Sequence, residues 1–138
     1  DLEQMLSRAD AALLIGDPTF ELDLNARRVL DLGEAWTGLT GLPFVYACWT
    51  GRAGVLRSGE AEMLIRAKET GVRHIPAIAE CYARSNPFPA ALYADYLTRY
   101  IGYDVGEAEL EGLRRFYAYA FELGLIQKIP EVRFNFTS

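Results

Sequence analysis

The chain has 138 residues, of which 51% are hydrophobic and 24% charged, a composition and length that fit roughly one globular domain and exclude a disordered segment. Fourteen basic and 19 acidic residues give a net charge of -5, with no Lys/Arg cluster of the kind that follows a phosphate backbone, so nucleic acid is excluded as a partner. No apolar run approaches the roughly 18 residues that cross a bilayer, and the start lacks the order of a signal peptide, so the expectation is no membrane and a cytoplasmic location.

In chain order, Leu2, Met5 and Leu6 repeat at helical spacing. The continuous apolar run Ala11–Ile15 then stops at Gly16-Asp17-Pro18, which predicts a buried strand and a sharp turn. A second strand is predicted at Arg28–Leu32 and a short helix around Glu34–Leu39, ended by Thr40-Gly41. Pro43–Thr50, reading PFVYACWT, is aromatic and β-branched without strict alternation. That pattern predicts a strand covered on both faces and deep in the molecule, with Pro43 at its start where a missing backbone donor matters least.

Beyond Gly51-Arg52-Ala53-Gly54 the pattern is helical. Ser58 is the expected N-cap of a helix carrying Glu60 and Glu62 near its positive end and stopping at Gly71. Ile75–Ala83 predicts the next helix, Asn86-Pro87-Phe88-Pro89 an extended break, and Ala90–Tyr100 a third helix. Asp104 and Glu107 have capping-box spacing before a last helix whose Leu110, Leu113, Tyr117 and Ala120 share one stripe and which Gly124 ends. The tail 132–136 reads as extended, and Asn135-Phe136-Thr137 matches a glycosylation sequon in form only. Three short strands followed by helices make a lopsided layout, because an α/β sheet needs strands enough to support helices on both faces. Either the domain is a small α+β fold or part of its sheet comes from elsewhere.

The chain has no phosphate loop, dinucleotide turn, nucleophile elbow or zinc-protease motif, which removes nucleotide, serine-hydrolase and zinc-protease chemistry. Cys48 and Cys81 are too few for a disulfide framework. With His74, the sole histidine, they could make only a minimal metal site, and reduced, buried thiols are the expectation. The candidate ligand contacts sit at two strand ends. Gly16 lets a ligand approach the backbone and Asp17 offers a carboxylate; equally, the pair turns the chain and caps the next turn. Trp49 offers a ring and Thr50 a hydroxyl, against the ordinary reading of a core tryptophan. His74 reads as a capping or surface residue, with a base as the alternative. The Gly51–Gly54 loop reads as a hinge or as an anion cradle with Arg52. Tyr93, Tyr96, Tyr100, Tyr117 and Tyr119 have helical spacing without basic interleaving, which is packing rather than a stacking site.

The ordered segments Ala9–Asp17 (ADAALLIGD), Asp31–Thr37 (DLGEAWT), Thr40–Trp49 (TGLPFVYACW) and Glu111–Leu125 resemble the chorismate dehydratase family of futalosine-route menaquinone biosynthesis. The resemblance implies an α/β, type II periplasmic-binding-protein-like fold of two lobes around a cleft, here its C-terminal half only. Residues 1–39 would end the second lobe, 40–50 would be the hinge strand, and 51–138 the helical return to the first lobe. It implies dehydration of chorismate to 3-[(1-carboxyvinyl)oxy]benzoate without metal or redox cofactor, with Gly16, Asp17, Trp49 and Thr50 binding a small-molecule carboxylate substrate. The absent first half, or a second copy of the chain, is the implied partner. Where the dehypoxanthine futalosine cyclising branch carries a His-Glu pair, this chain has Gly16-Asp17, which favours the dehydratase. The alternatives are that cyclising branch, a non-catalytic binding protein of the same fold, and a helical interaction module spanning Ser58–Leu125.

Overall fold

Asp31 shows how local chemistry overrides a strand pattern. Its carboxylate Oδ1 accepts hydrogen bonds from the amides of Gly33 at 2.8 Å and Glu34 at 3.0 Å, satisfying two of the donors that the start of a helix leaves orphaned. In the computed structural model, which describes residues 2–23, 26–52, 54–57 and 59–133, helix α2 (Leu32–Thr40) therefore begins where the second strand was expected to finish. The chain divides into two compact units, Asp1–Ala35 and Trp36–Ser138, with the boundary inside α2.

The first unit holds the short helix α1 (Leu2–Leu6), tied to the later chain by the Arg27–Glu3 ion pair, and a single 3-10 turn, Asp17–Glu21. Between them, segment 11–15 has neither helix nor ladder. Ala12 and Leu14 are half-buried while Leu13 and Ile15 are exposed, Ile15 at 80%. The period of two proper to an extended chain is present, but the buried strand is not.

In the second unit, α3 (Glu60–Arg73) and α4 (Ile75–Ala83) are separated only by His74. Pro76 lies in the first turn of α4, where its missing donor does no harm. The helix thus passes Gly71, the expected stop, and ends where proline enforces a new start. Gly59, left-handed at φ 84°, precedes α3, and Glu60 accepts the Arg57 amide at 2.7 Å; the expected cap, Ser58, lies outside the described residues, as do Ala53 and the sequon. Helix α5 (Ala90–Asp95) packs on α4 through Tyr93, buried edge-on against Tyr82 at 4.9 Å. The third expected helix does not run on as α: its last part, Tyr96–Tyr100, is wound as a π-helix.

Helix α6 (Glu107–Glu122) carries the aromatic core. Trp36 meets Phe44 at 5.5 Å and Phe116 and Tyr119 at 6.1 Å, all edge-on, the arrangement ring quadrupoles favour. The Trp36 indole N–H donates to the Pro43 carbonyl at 3.2 Å. The helix starts two residues later than expected: Gly106 is the cap, and Glu109, not Glu107, accepts the cap amide at 2.8 Å. Asp104 instead pairs with Lys68 at 2.7 Å. Gly124, at φ 70°, does end the helix. The amide of Leu125 reaches the Ala120 carbonyl at 2.8 Å and that of Gly124 the Phe121 carbonyl at 2.9 Å, which satisfies the last carbonyls in a Schellman closure.

No strand forms among the described residues, so the three expected strands are corrected to extended or irregular backbone. A strand is stable only as part of a ladder, and these segments find none. Segment 43–50 is half-buried as far as Val45 and open beyond it, with Tyr46 72% and Trp49 86% exposed. Both thiols, expected to be buried, are exposed. Cys48 rides on the uncovered part of that segment. Cys81 is two residues past buried Ala79 on α4, which turns it to the opposite face of the helix.

Candidate functional site

Of the residues singled out by sequence, Gly16 and Asp17 form the best-defined corner. Gly16 has φ 78° and ψ -151°, a torsional region open in practice only to glycine. No atom would crowd a Cβ placed there, so the demand for glycine is torsional rather than steric. Pro18 then fixes the first turn of the 3-10 helix. Thr19 closes the corner twice over: its amide donates to the Gly16 carbonyl at 2.9 Å and its hydroxyl to the same oxygen at 2.7 Å.

This geometry presents Asp17 at the surface, directly after an exposed apolar residue, Ile15, and the Gly16 backbone. A surface carboxylate beside apolar chain can accept a hydrogen bond from a hydroxyl and orient it. Trp49 and Thr50 are both exposed at the far end of segment 43–50, so the ring face and hydroxyl are accessible as a stacking plane and a hydrogen-bond donor. Gly16 and Asp17 belong to the first compact unit, and Trp49 and Thr50 to the second.

His74 closes α3. Its amide reaches the Thr70 and Gly71 carbonyls at 3.2 and 3.0 Å, and its Nδ1–H donates to the Thr70 carbonyl at 2.7 Å. The neighbouring Arg73 donates to the Thr70 hydroxyl at 3.2 Å. Both side chains thus serve the carbonyl end of α3, where positive charge and donors are favoured. Among the described residues, no three His, Cys, Asp or Glu side chains gather as a metal would require. In the 51–54 loop, Gly54 is left-handed at φ 76° and the Val55 amide donates to the Arg52 carbonyl at 3.3 Å.

No motif in the sequence marks the shallow groove of about 280 Å³ in the second unit, lined by Lys68, Glu69, Val72, Arg73, Tyr103 and Asp104. The Lys68–Asp104 pair forms one side, and the Tyr103 hydroxyl donates to the Leu97 carbonyl at 3.1 Å. Burial, and then repulsion from the Tyr96 phenol, raise the Tyr103 pKa above the ordinary phenol value. Two cations face two carboxylates here, so the groove has no net attraction for charge. Nothing in local spacing could pair Lys68 with Asp104 across 36 positions.

Residues 1–122 match the sequence model of a family described as menaquinone biosynthesis. The match takes in Gly16, Asp17, Trp49, Thr50 and every helix from α1 to α6. No solved structure matches the chain.

Proposed function

The chain belongs to the menaquinone biosynthesis family, and from that membership we propose that it is the C-terminal part of a chorismate dehydratase, a carbon–oxygen lyase acting in the cleft of a two-lobed, type II periplasmic-binding-protein-like enzyme. The observation that carries the reading is the Gly16-Asp17 corner, standing where the resemblance places a His-Glu pair in the cyclising branch. A cyclisation begun by an imidazole base finds no histidine at positions 16 and 17, and the one histidine of the chain, His74, caps the end of α3.

Dehydration needs less from the protein. One ring proton and one hydroxide leave as water. The electron pair of the broken C–H bond enters the ring, the C–O pair departs with oxygen, and aromatisation supplies the driving force. The residues' task is then orientation. Asp17 accepts a hydrogen bond from the ring hydroxyl. Asp17 is assigned to holding the hydroxyl rather than to taking the proton.

The test offers the complete gene product chorismate and dehypoxanthine futalosine in parallel. An aromatic product one water lighter than chorismate, with the second substrate unchanged, is expected. Conversion of dehypoxanthine futalosine alone would assign the cyclising branch. Binding of chorismate without conversion would leave a binding protein.

A further inference from the structure

Within the first unit, the Gly16 carbonyl receives two hydrogen bonds from one residue. The Thr19 amide, at 2.9 Å, already closes the 3-10 turn by itself. The Thr19 hydroxyl, at 2.7 Å, adds a second bond that the turn does not need for closure. Its effect is directional: two donors converging on one oxygen fix the rotation of the Gly16–Asp17 peptide plane. That plane sets where the Asp17 Cα–Cβ bond points. Gly16 lacks the Cβ that would restrict it, and apart from its chain neighbours no atom lies within 4 Å of where one would be. Thr19 is itself exposed, which leaves packing a small part of its role.

We propose that Thr19 is a positioning residue for Asp17: its hydroxyl holds the peptide plane that aims the carboxylate at the substrate hydroxyl. The inference rests on the assignment of Asp17 to the substrate site. It concerns the step after binding, since a misdirected carboxylate still lies within reach of the substrate but orients it poorly.

The test uses the complete gene product and chorismate. Thr19→Val, which removes the donor at nearly constant shape, should lower kcat about tenfold while KM changes less than about twofold, consistent with a positioning loss. Thr19→Ser keeps the donor and should restore kcat to within about twofold of wild type. Thr19→Ala checks that the valine branch is not the cause and should behave like Thr19→Val, with thermal melts confirming that each variant is folded. On an Asp17→Asn background, Thr19→Val should add little further loss, because both changes act through the same group. Equal kcat for wild type and Thr19→Val, or a full additional loss on the Asp17→Asn background, overturns the inference while leaving the dehydratase reading intact. A wild-type enzyme that leaves chorismate unchanged overturns both.

Discussion

Gly16 and Tyr103 are single residues whose environments fix their behaviour in opposite ways, one through torsion and one through solvation. At φ 78° and ψ -151°, Gly16 occupies a conformation that costs a residue with a Cβ on the order of 1–3 kcal/mol. Gly16→Ala should therefore destabilise the protein by about that amount, read as a lower midpoint in urea unfolding with unchanged slope; an unchanged midpoint would mean that the corner relaxes freely. Tyr103 is held protonated by burial and by the Tyr96 phenol. As pH rises past roughly 10, where an unfolded tyrosine loses its proton, folded Tyr103 keeps its own. The unfolded state then binds fewer protons, so this contribution to stability is complete below that pH and is lost as pH climbs through the raised value. Tyrosinate absorbance should show a late-ionising phenol that Tyr103→Phe removes.

At the scale of elements, two glycines within helices respond oppositely to the same change. Gly38 lies inside α2 with open space around it, so Gly38→Ala should stabilise the helix by roughly 0.5–1 kcal/mol. Gly112 is buried in α6, where a Cβ would collide with the Pro43 carbonyl oxygen. Gly112→Ala must push the 42–44 turn away from Trp36 and Phe116, and overpacking of this kind costs about 1–3 kcal/mol. Thermal denaturation of the two variants should move the midpoint in opposite directions. Helical periodicity made α3, α4 and α6 legible from sequence, because an amphipathic helix satisfies its own backbone. The close approach at Gly112 was not legible, since it depends on which turn lies against the helix. The start of α2 and the cap of α6 were each misplaced by two residues, as Asp31 and Gly106 are chosen by geometry among several acceptable neighbours.

For the whole molecule, the expectation that failed is the sheet. Segments 11–15 and 43–50 have the residues of buried strands, yet neither is paired among the described residues, and Ile15 and Trp49 are mostly exposed. A strand pattern reports that a segment is suited to a ladder, whereas the ladder depends on a partner at a distance in sequence. Of the candidate site, the Gly16-Asp17 corner was legible because glycine and proline mark a turn in any context. The second hydrogen bond from Thr19 was not, because a threonine three residues after a turn glycine has many roles. Family membership supplies the pathway, and the Gly16-Asp17 corner supports the choice of reaction within it.

The most direct measurement of that choice follows chorismate with the complete gene product and its Asp17→Asn variant, recording absorbance and product mass together. The expected outcome is an aromatic product lighter than chorismate by one water from the wild type, and a rate lower by about 10- to 100-fold from a variant that is equally folded. Chorismate unchanged by the wild type, or the same rate from both proteins, would contradict it.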